Sequence, residues 1–304
     1  MLVLRRVVQM ALILLGVAAI TFVLLYALPA DPARMIAGRS ATAQTVANIR
    51  RELGLDQSLP VQFWSYLSNL LQGNLGRSYA QKTEVATLIM ARLPATLTLM
   101  FSGIVVEVVL GLTLGTIAAV RRGGFVDRLV MMASFVGVSA PQFVVALLLL
   151  YVFAATLGWF PMSGYCTFSH VVLPAATLGV LGAGWYARMV RSAMIDVLNQ
   201  DYVRTARAKG LSSRRITFRH ALPNAVLPVI AMIGIDIGQF MGGVVVVEAV
   251  YGWPGIGQLA WQAIQQVDIP IIMGVTLTSA LAIILGNLVA DLIAPVIDPR
   301  IRTR

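Results

Sequence analysis

The chain has 304 residues, of which 58% are hydrophobic and 12% charged. Soluble domains carry about a quarter charged residues, so a water-soluble globule of this size is excluded and a polytopic membrane protein is expected. The net charge of +10 fits either nucleic acid or a membrane protein with basic cytoplasmic loops, and the positions of the charges decide between them. Cys166 is the only cysteine, which excludes an intramolecular disulfide and a cysteine-rich metal site.

A hydrocarbon core about 30 Å thick takes ~20 apolar residues per helix. Residues 7–28 form the first candidate span, preceded by Arg5 and Arg6. The stretch exceeds the ~7–15 apolar residues of a signal peptide, and no small-x-small cleavage pattern follows, so it is read as an uncleaved span. Residues 29–94 are rich in charges and in Gly, Pro, Asn and Ser, and form an aqueous segment. Short helices are expected there over 43–53 and from Ser58-Leu59-Pro60 onward, where Pro suits a first turn. Phe63, Trp64 and Tyr66 suit a helix lying at the membrane interface.

The second span is predicted over 94–120, ending at Arg121-Arg122-Gly123-Gly124. The third covers 129–157 and should kink at Pro141. Residues 158–170 make a short outer loop with Trp159, Phe160 and Tyr165 at an aromatic belt. The fourth covers 171–187 and is ended by Arg188 and Arg191. A basic segment, 188–222, separates it from the fifth span at 223–247. A loop over 248–269 precedes the sixth span at 270–294, with Glu248 at the outer rim. With the N-terminus inside, the inner segments hold 16 basic residues and the outer ones 7. Six spans with both termini cytoplasmic are therefore predicted. The organisation is a first transmembrane helix (1–28), an extracytoplasmic segment (29–94), a five-helix core (95–294) carrying the cytoplasmic loop 188–222, and a cytoplasmic tail (295–304). The basic excess now has a place on one side of a membrane, and nucleic acid is set aside.

The loop 188–222 carries the densest pattern. Helix formers run from 194 to 209, Gly210 suits positive φ, and Ser212 and Ser213 suit a second N-cap. The expected product is a helix–turn–helix elbow on the cytoplasmic face, with small Ala206 and Gly210 letting a partner approach closely. Within it stand Arg204-Thr205-Ala206, then Arg207-Ala208-Lys209-Gly210-Leu211, Ser212-Ser213-Arg214-Arg215, and His220-Ala221-Leu222-Pro223-Asn224. This order resembles the coupling loop of ABC-importer permeases, in which a Glu-Ala-Ala-like triplet stands four residues before a Gly and a Leu-Pro follows. Thr205 to Leu211 with His220-x-Leu222 is similar to the dipeptide, oligopeptide and nickel branch. Further likenesses are Leu28-Pro29-Ala30-Asp31-Pro32, Leu53-Gly54-Leu55-Asp56-Gln57, Gln72-Gly73-Asn74-Leu75-Gly76-Arg77-Ser78, Arg92-Leu93-Pro94-Ala95-Thr96, Trp253-Pro254-Gly255-Ile256-Gly257 and Asp298-Pro299-Arg300-Ile301-Arg302. Departures are Arg204-Thr205-Ala206 at the triplet, Ala30 for Gly, and Pro223 where Arg is common.

The resemblance implies an all-α membrane protein with the type I ABC importer permease fold, in a bacterial inner membrane, importing peptides or else nickel chelates, glutathione or opine-like solutes. It implies as partners a second homologous permease, two ATPase subunits, an extracytoplasmic substrate-binding protein and membrane lipid. ATPase docking would fall to Arg204, Thr205, Ala206, Arg207, Ala208, Lys209, Gly210, Leu211, Ser212, Arg214 and Arg215. The binding protein would touch 29–94 and 248–269. No phosphate-binding loop is present, since neither Lys82 nor Lys209 follows a Gly-rich turn. ATP and Mg would belong to the ATPase subunits, and no cofactor to this chain.

Charges inside spans default to functional candidates. Asp236, mid-span, is the foremost candidate to face the translocation pathway, Glu107 is a second whose role stays open, and Asp291 reads as structural. His170 and His220 fall on opposite sides and cannot share a metal. Gly111/Gly115 and Gly234/Gly238/Gly242 can line contacts within the chain or with a second permease. An ion-coupled carrier using Glu107, Asp236 and Asp291 as a relay and a membrane-embedded enzyme are the rival readings. The first lacks an explanation for the elbow, the second a clustered catalytic set.

Overall fold

The computed structural model describes residues 2–27, 32–38, 41–52, 54–242 and 244–297, and side chains over most of 8–288. The motifs at 28–31 and 298–302 lie outside the described residues, as does the side chain of Asp291. The described residues are mostly helical, and among them the one extended pairing is an isolated bridge between Arg77 and Glu84.

Helix α1 spans Leu2–Ala27, and three short helices follow in the segment 29–94: α2 (Pro32–Ala37), α3 (Ala43–Glu52) and α4 (Leu59–Leu71). As expected, α4 starts with Pro in its first turn. Its Phe63 and Tyr66 rings pack on Phe22 of α1, while Trp64 is exposed.

Helix α5 runs over Val85–Val120, nine residues ahead of the predicted start. Pro94 does not begin it but lies inside. Arg92, which reads as a boundary, is held in place by a 3.0 Å hydrogen bond to Gln258 Oε1. Val85 and Ile89 bury themselves against Ile256, Leu259, Ala263 and Ile271. That apolar contact, unseen by any local rule, extends the helix outward.

Helices α6 (Phe125–Ser139) and α7 (Gln142–Leu149), the latter continued by a wider π segment at Leu150–Thr156, replace the single kinked span. They meet at Ala140-Pro141 at 105°, because Pro141 N-caps α7 in an extended conformation rather than bending one continuous helix.

Helix α8 covers Phe168–Leu198 and passes through the arginines predicted to end it. Both are accommodated. Arg191 forms a two-pronged pair with Asp127, at 2.5 and 2.7 Å, and the Arg188 guanidinium lies over the Phe135 and Trp185 rings. The predicted helix 194–209 is accordingly broken at Asn199-Gln200, and α9 (Asp201–Ala208) starts afresh.

The elbow continues through α10 (Ser213–Arg215), a π turn at Ile216–Ala221 and α11 (Leu222–Ala225) into α12 (Leu227–Met241), with a bend of 48° between the segment 213–225 and α12. The fifth span thus stops before 247. Helix α13 (Val245–Val250) and α14 (Ile256–Gln266) occupy most of the region read as a loop, and α15 (Ile269–Ile297) closes the chain.

Helices α5 and α8 pack along their lengths and form the centre. Gly111 and Gly115 face Tyr186, Ala187 and Val190 of α8, and a Cβ at Gly115 would stand 2.6 Å from the Ala187 carbonyl oxygen. Gly238 faces Ile283 of α15. Gly111, Gly115 and Gly238 therefore take part in packing within the chain. Three single helices, α5, α8 and α15, are long and apolar enough to cross a membrane, and the two bent pairs bring the number to five. Helix α1 adds an apolar stretch at Val8–Leu24.

Candidate functional site

The elbow is held by a small core of its own. Val203, Ala206 and Ile216 are buried together, with Leu198 and Leu211 against them. Lys209 caps α9, Gly210 takes φ +74°, and the Leu211 N–H donates to the Ala206 carbonyl. A left-handed residue in this place costs a side chain strain that Gly avoids. Ser212 then caps the next turn, its hydroxyl accepting from the Arg215 N–H at 3.4 Å. Tyr202 and Asn224 tie the two ends: the Asn224 amide donates to the Tyr202 hydroxyl (3.1 Å) and to the His220 carbonyl (2.8 Å). Pro223 is exposed and leaves this clasp intact.

Arg204, Thr205, Arg207, Ala208, Lys209, Gly210, Ser212, Arg214 and Arg215 are all exposed, and Leu211 is half-buried. Ala206 corrects the expectation. It faces the elbow's interior, so the small edge open to a partner is Ala208 and Gly210. A groove of about 660 Å³ lies beside it, lined by Ser212, Arg214, Arg215, Phe218, Arg219 and Pro223. Phe218 and Arg219 were not among the predicted residues. Their exposure follows from the π turn, which shifts the helix face by an extra residue and cannot be read from spacing alone.

The two candidate pathway acids, 129 positions apart in the chain, come together. Glu107 on α5 faces Asp236 on α12, and Tyr186 of α8 donates its hydroxyl to Asp236 Oδ2. Glu107 lies 13 residues before the end of α5, about 20 Å along the helix, so the cluster sits well inside that apolar helix. Asp291 is on α15, its side chain outside the described residues. His170 caps α8, its Nδ1 2.8 Å from the Thr167 hydroxyl, while His220 belongs to the elbow. Among the described residues no group of three His, Cys, Asp or Glu is placed to hold a metal.

The family described as "Binding-protein-dependent transport system inner membrane component" matches residues 111–303, and its N-terminal companion matches residues 1–100. The chain belongs to this family. It is an inner-membrane ABC importer permease, a multi-pass transport component rather than an enzyme. The permease is 42% identical over 300 residues to the glutathione transport system permease protein GsiC of Salmonella paratyphi A, covering 99% of this chain and 98% of that one, and equally to the protein of that name from Escherichia coli. Two inward-facing structures of the MetNI methionine ABC transporter share its fold, with TM-scores of 0.58 and 0.55 at 22% and 20% identity. They cover 69% and 70% of this chain and 96% and 97% of theirs.

The permease also joins the segment 29–94 to the region 248–269. Asp268, fully buried, accepts from the Ser78 hydroxyl (2.5 Å) and the Ala80 N–H (2.9 Å), fastening that segment to the start of α15. Trp253 is fully buried and donates its indole N–H to the Ala95 carbonyl. Glu248 is buried too, and its Oε2 accepts from the Gln258 N–H at 2.6 Å, inside the first turn of α14. Burial pushes its carboxyl up to about 7, against the pull of that N–H and of Arg92. Its fold-back onto a helix start is an anion at the positive end of a dipole.

Proposed function

We propose that this permease conducts cargo of the dipeptide and oligopeptide class, delivered outside by a substrate-binding protein and driven by two ATPase subunits docked on the elbow. A second homologous permease would complete the pathway. The observation that carries the coupling role is the exposed run from Arg204 to Arg215 on a self-contained elbow. A rigid, positively charged protrusion beside a groove suits insertion into a cleft of a partner. The 42% identity to a glutathione permease favours glutathione, itself a tripeptide, as the specific alternative. The basic residues support six spans with both termini cytoplasmic, α1 and the α6–α7 and α10–α12 pairs each counting as one.

Reversing Arg204, Arg207, Lys209, Arg214 and Arg215 to Glu tests the docking. The ATPase subunits are expected to be lost on purification of the permease, and uptake to fall at least tenfold. Retention of both activities would sink the docking role. Uptake of a labelled dipeptide and of glutathione, side by side, assigns the cargo.

A further inference from the structure

Between α5, α8 and α12 two carboxyls and a phenol meet with no cation among them. Glu107 is 3% exposed, and its Oε2 has no hydrogen-bond partner. Its carboxyl faces that of Asp236 within hydrogen-bond reach, and Tyr186, 1% exposed, holds Asp236 from the other side. Among the described residues no Lys, Arg or His pairs with either acid. Room for the Glu107 head is built into α8: a Cβ at Gly182 would overlap its carboxyl. Two carboxylates this close repel unless a cation joins them, and a membrane interior does not screen the repulsion.

The cluster also has an open side. Asp236 is only half-buried, and Ile235 and Gln239 on the same stretch of α12 are exposed. An acid at membrane depth does not turn an open face to lipid; it faces protein or a water-filled cavity.

We propose that Glu107 and Asp236 form a midplane receptor for the protonated amino group of the cargo. This rests on the peptide reading above, because a peptide carries an N-terminal ammonium. Asp236 is the outer ligand, the unpartnered Glu107 Oε2 the inner one, and Tyr186 a positioning residue that keeps Asp236 turned toward Glu107. An ammonium brings three N–H donors and the positive charge the pair lacks. Without cargo, one proton bridges the two carboxyls. When the ammonium enters, that proton leaves to water, so one positive charge replaces another and the site stays balanced. The same exchange in reverse releases the cargo.

The test uses the whole transporter, permease pair with its ATPases, in lipid nanodiscs. Ethylammonium chloride is added against an equal concentration of potassium chloride, and infrared difference spectra are recorded. Ethylammonium is expected to remove a carboxylic-acid band and add carboxylate bands, potassium is not, and Glu107→Gln and Asp236→Asn should each abolish the response. No response in the wild type overturns the site, as does a response that persists in both variants. An equal response to potassium overturns the ammonium assignment. Dipeptide uptake is measured in parallel. A spectral response without dipeptide uptake leaves the site standing and removes the peptide reading, whereas uptake without a response removes the site alone.

Discussion

Glu248 sits fully buried beneath the first turn of α14 with its carboxylate on the Gln258 N–H. Its carboxyl titrates near 7, against an ordinary value of 4.5. In that interval the folded chain binds the proton more tightly than the unfolded chain, so stability falls as pH rises from 4.5 through 7. Thermal unfolding of the purified permease should therefore show a midpoint that declines over this window. Glu248→Gln, which stays neutral, should flatten the decline, and an unchanged slope in that variant would assign the effect to another group. A linear reading did not show that Glu248 is buried. The fold-back depends on Gly255, where any Cβ would collide with the carboxylate. That fit exists only in three dimensions. Ala206 teaches the same lesson: its place in the motif was legible, while its inward direction was set by Val203 and Ile216.

At the scale of elements, the capping signals were reliable where they were local. Pro60, Gly210 and Ser212 each mark a helix boundary where the chain chemistry demands one. The boundary at Arg121-Arg122 held, but those read from Arg92 and Arg191 failed, since each finds a partner far along the chain. A charged residue ends a membrane helix only when nothing compensates it. Gly115 sits directly against the backbone of α8. Gly115→Leu would drive a side chain into the Ala187 carbonyl and Val190. Overpacking typically costs about 1–3 kcal/mol, and more is expected here because backbone must move. The permease should lose several degrees of thermal stability, read by a thiol-independent melting assay, while Gly16→Leu, with open space around it and an ordinary helical backbone, serves as the matched control.

Over the whole molecule, the basic residues behind the net charge of +10 gather in the segment 188–222, and the hydropathy pattern located the helices long and apolar enough to cross a membrane. What it did not reveal is the meeting of Glu107 and Asp236, which requires α5, α8 and α12 to converge. Nor did it show the 105° turn between α6 and α7. The single cysteine makes the orientation testable without engineering. Cys166 is free and exposed in the loop before α8. A membrane-impermeant maleimide should label it in intact spheroplasts, and labelling only after lysis would invert the topology.

Helix α8 runs unbroken for 31 residues, from the Thr167–His170 cap to the elbow at Asn199, about 46 Å at 1.5 Å per residue. In mechanical terms it is a stiff rod with both ends clamped, and such a rod has little slack. A tilt imposed at the elbow end would be carried along the rod past Tyr186 and Gly182, which line the acid pair. Grip on the cargo and the stroke of the motor would then be geared by one piece of backbone rather than relayed through joints.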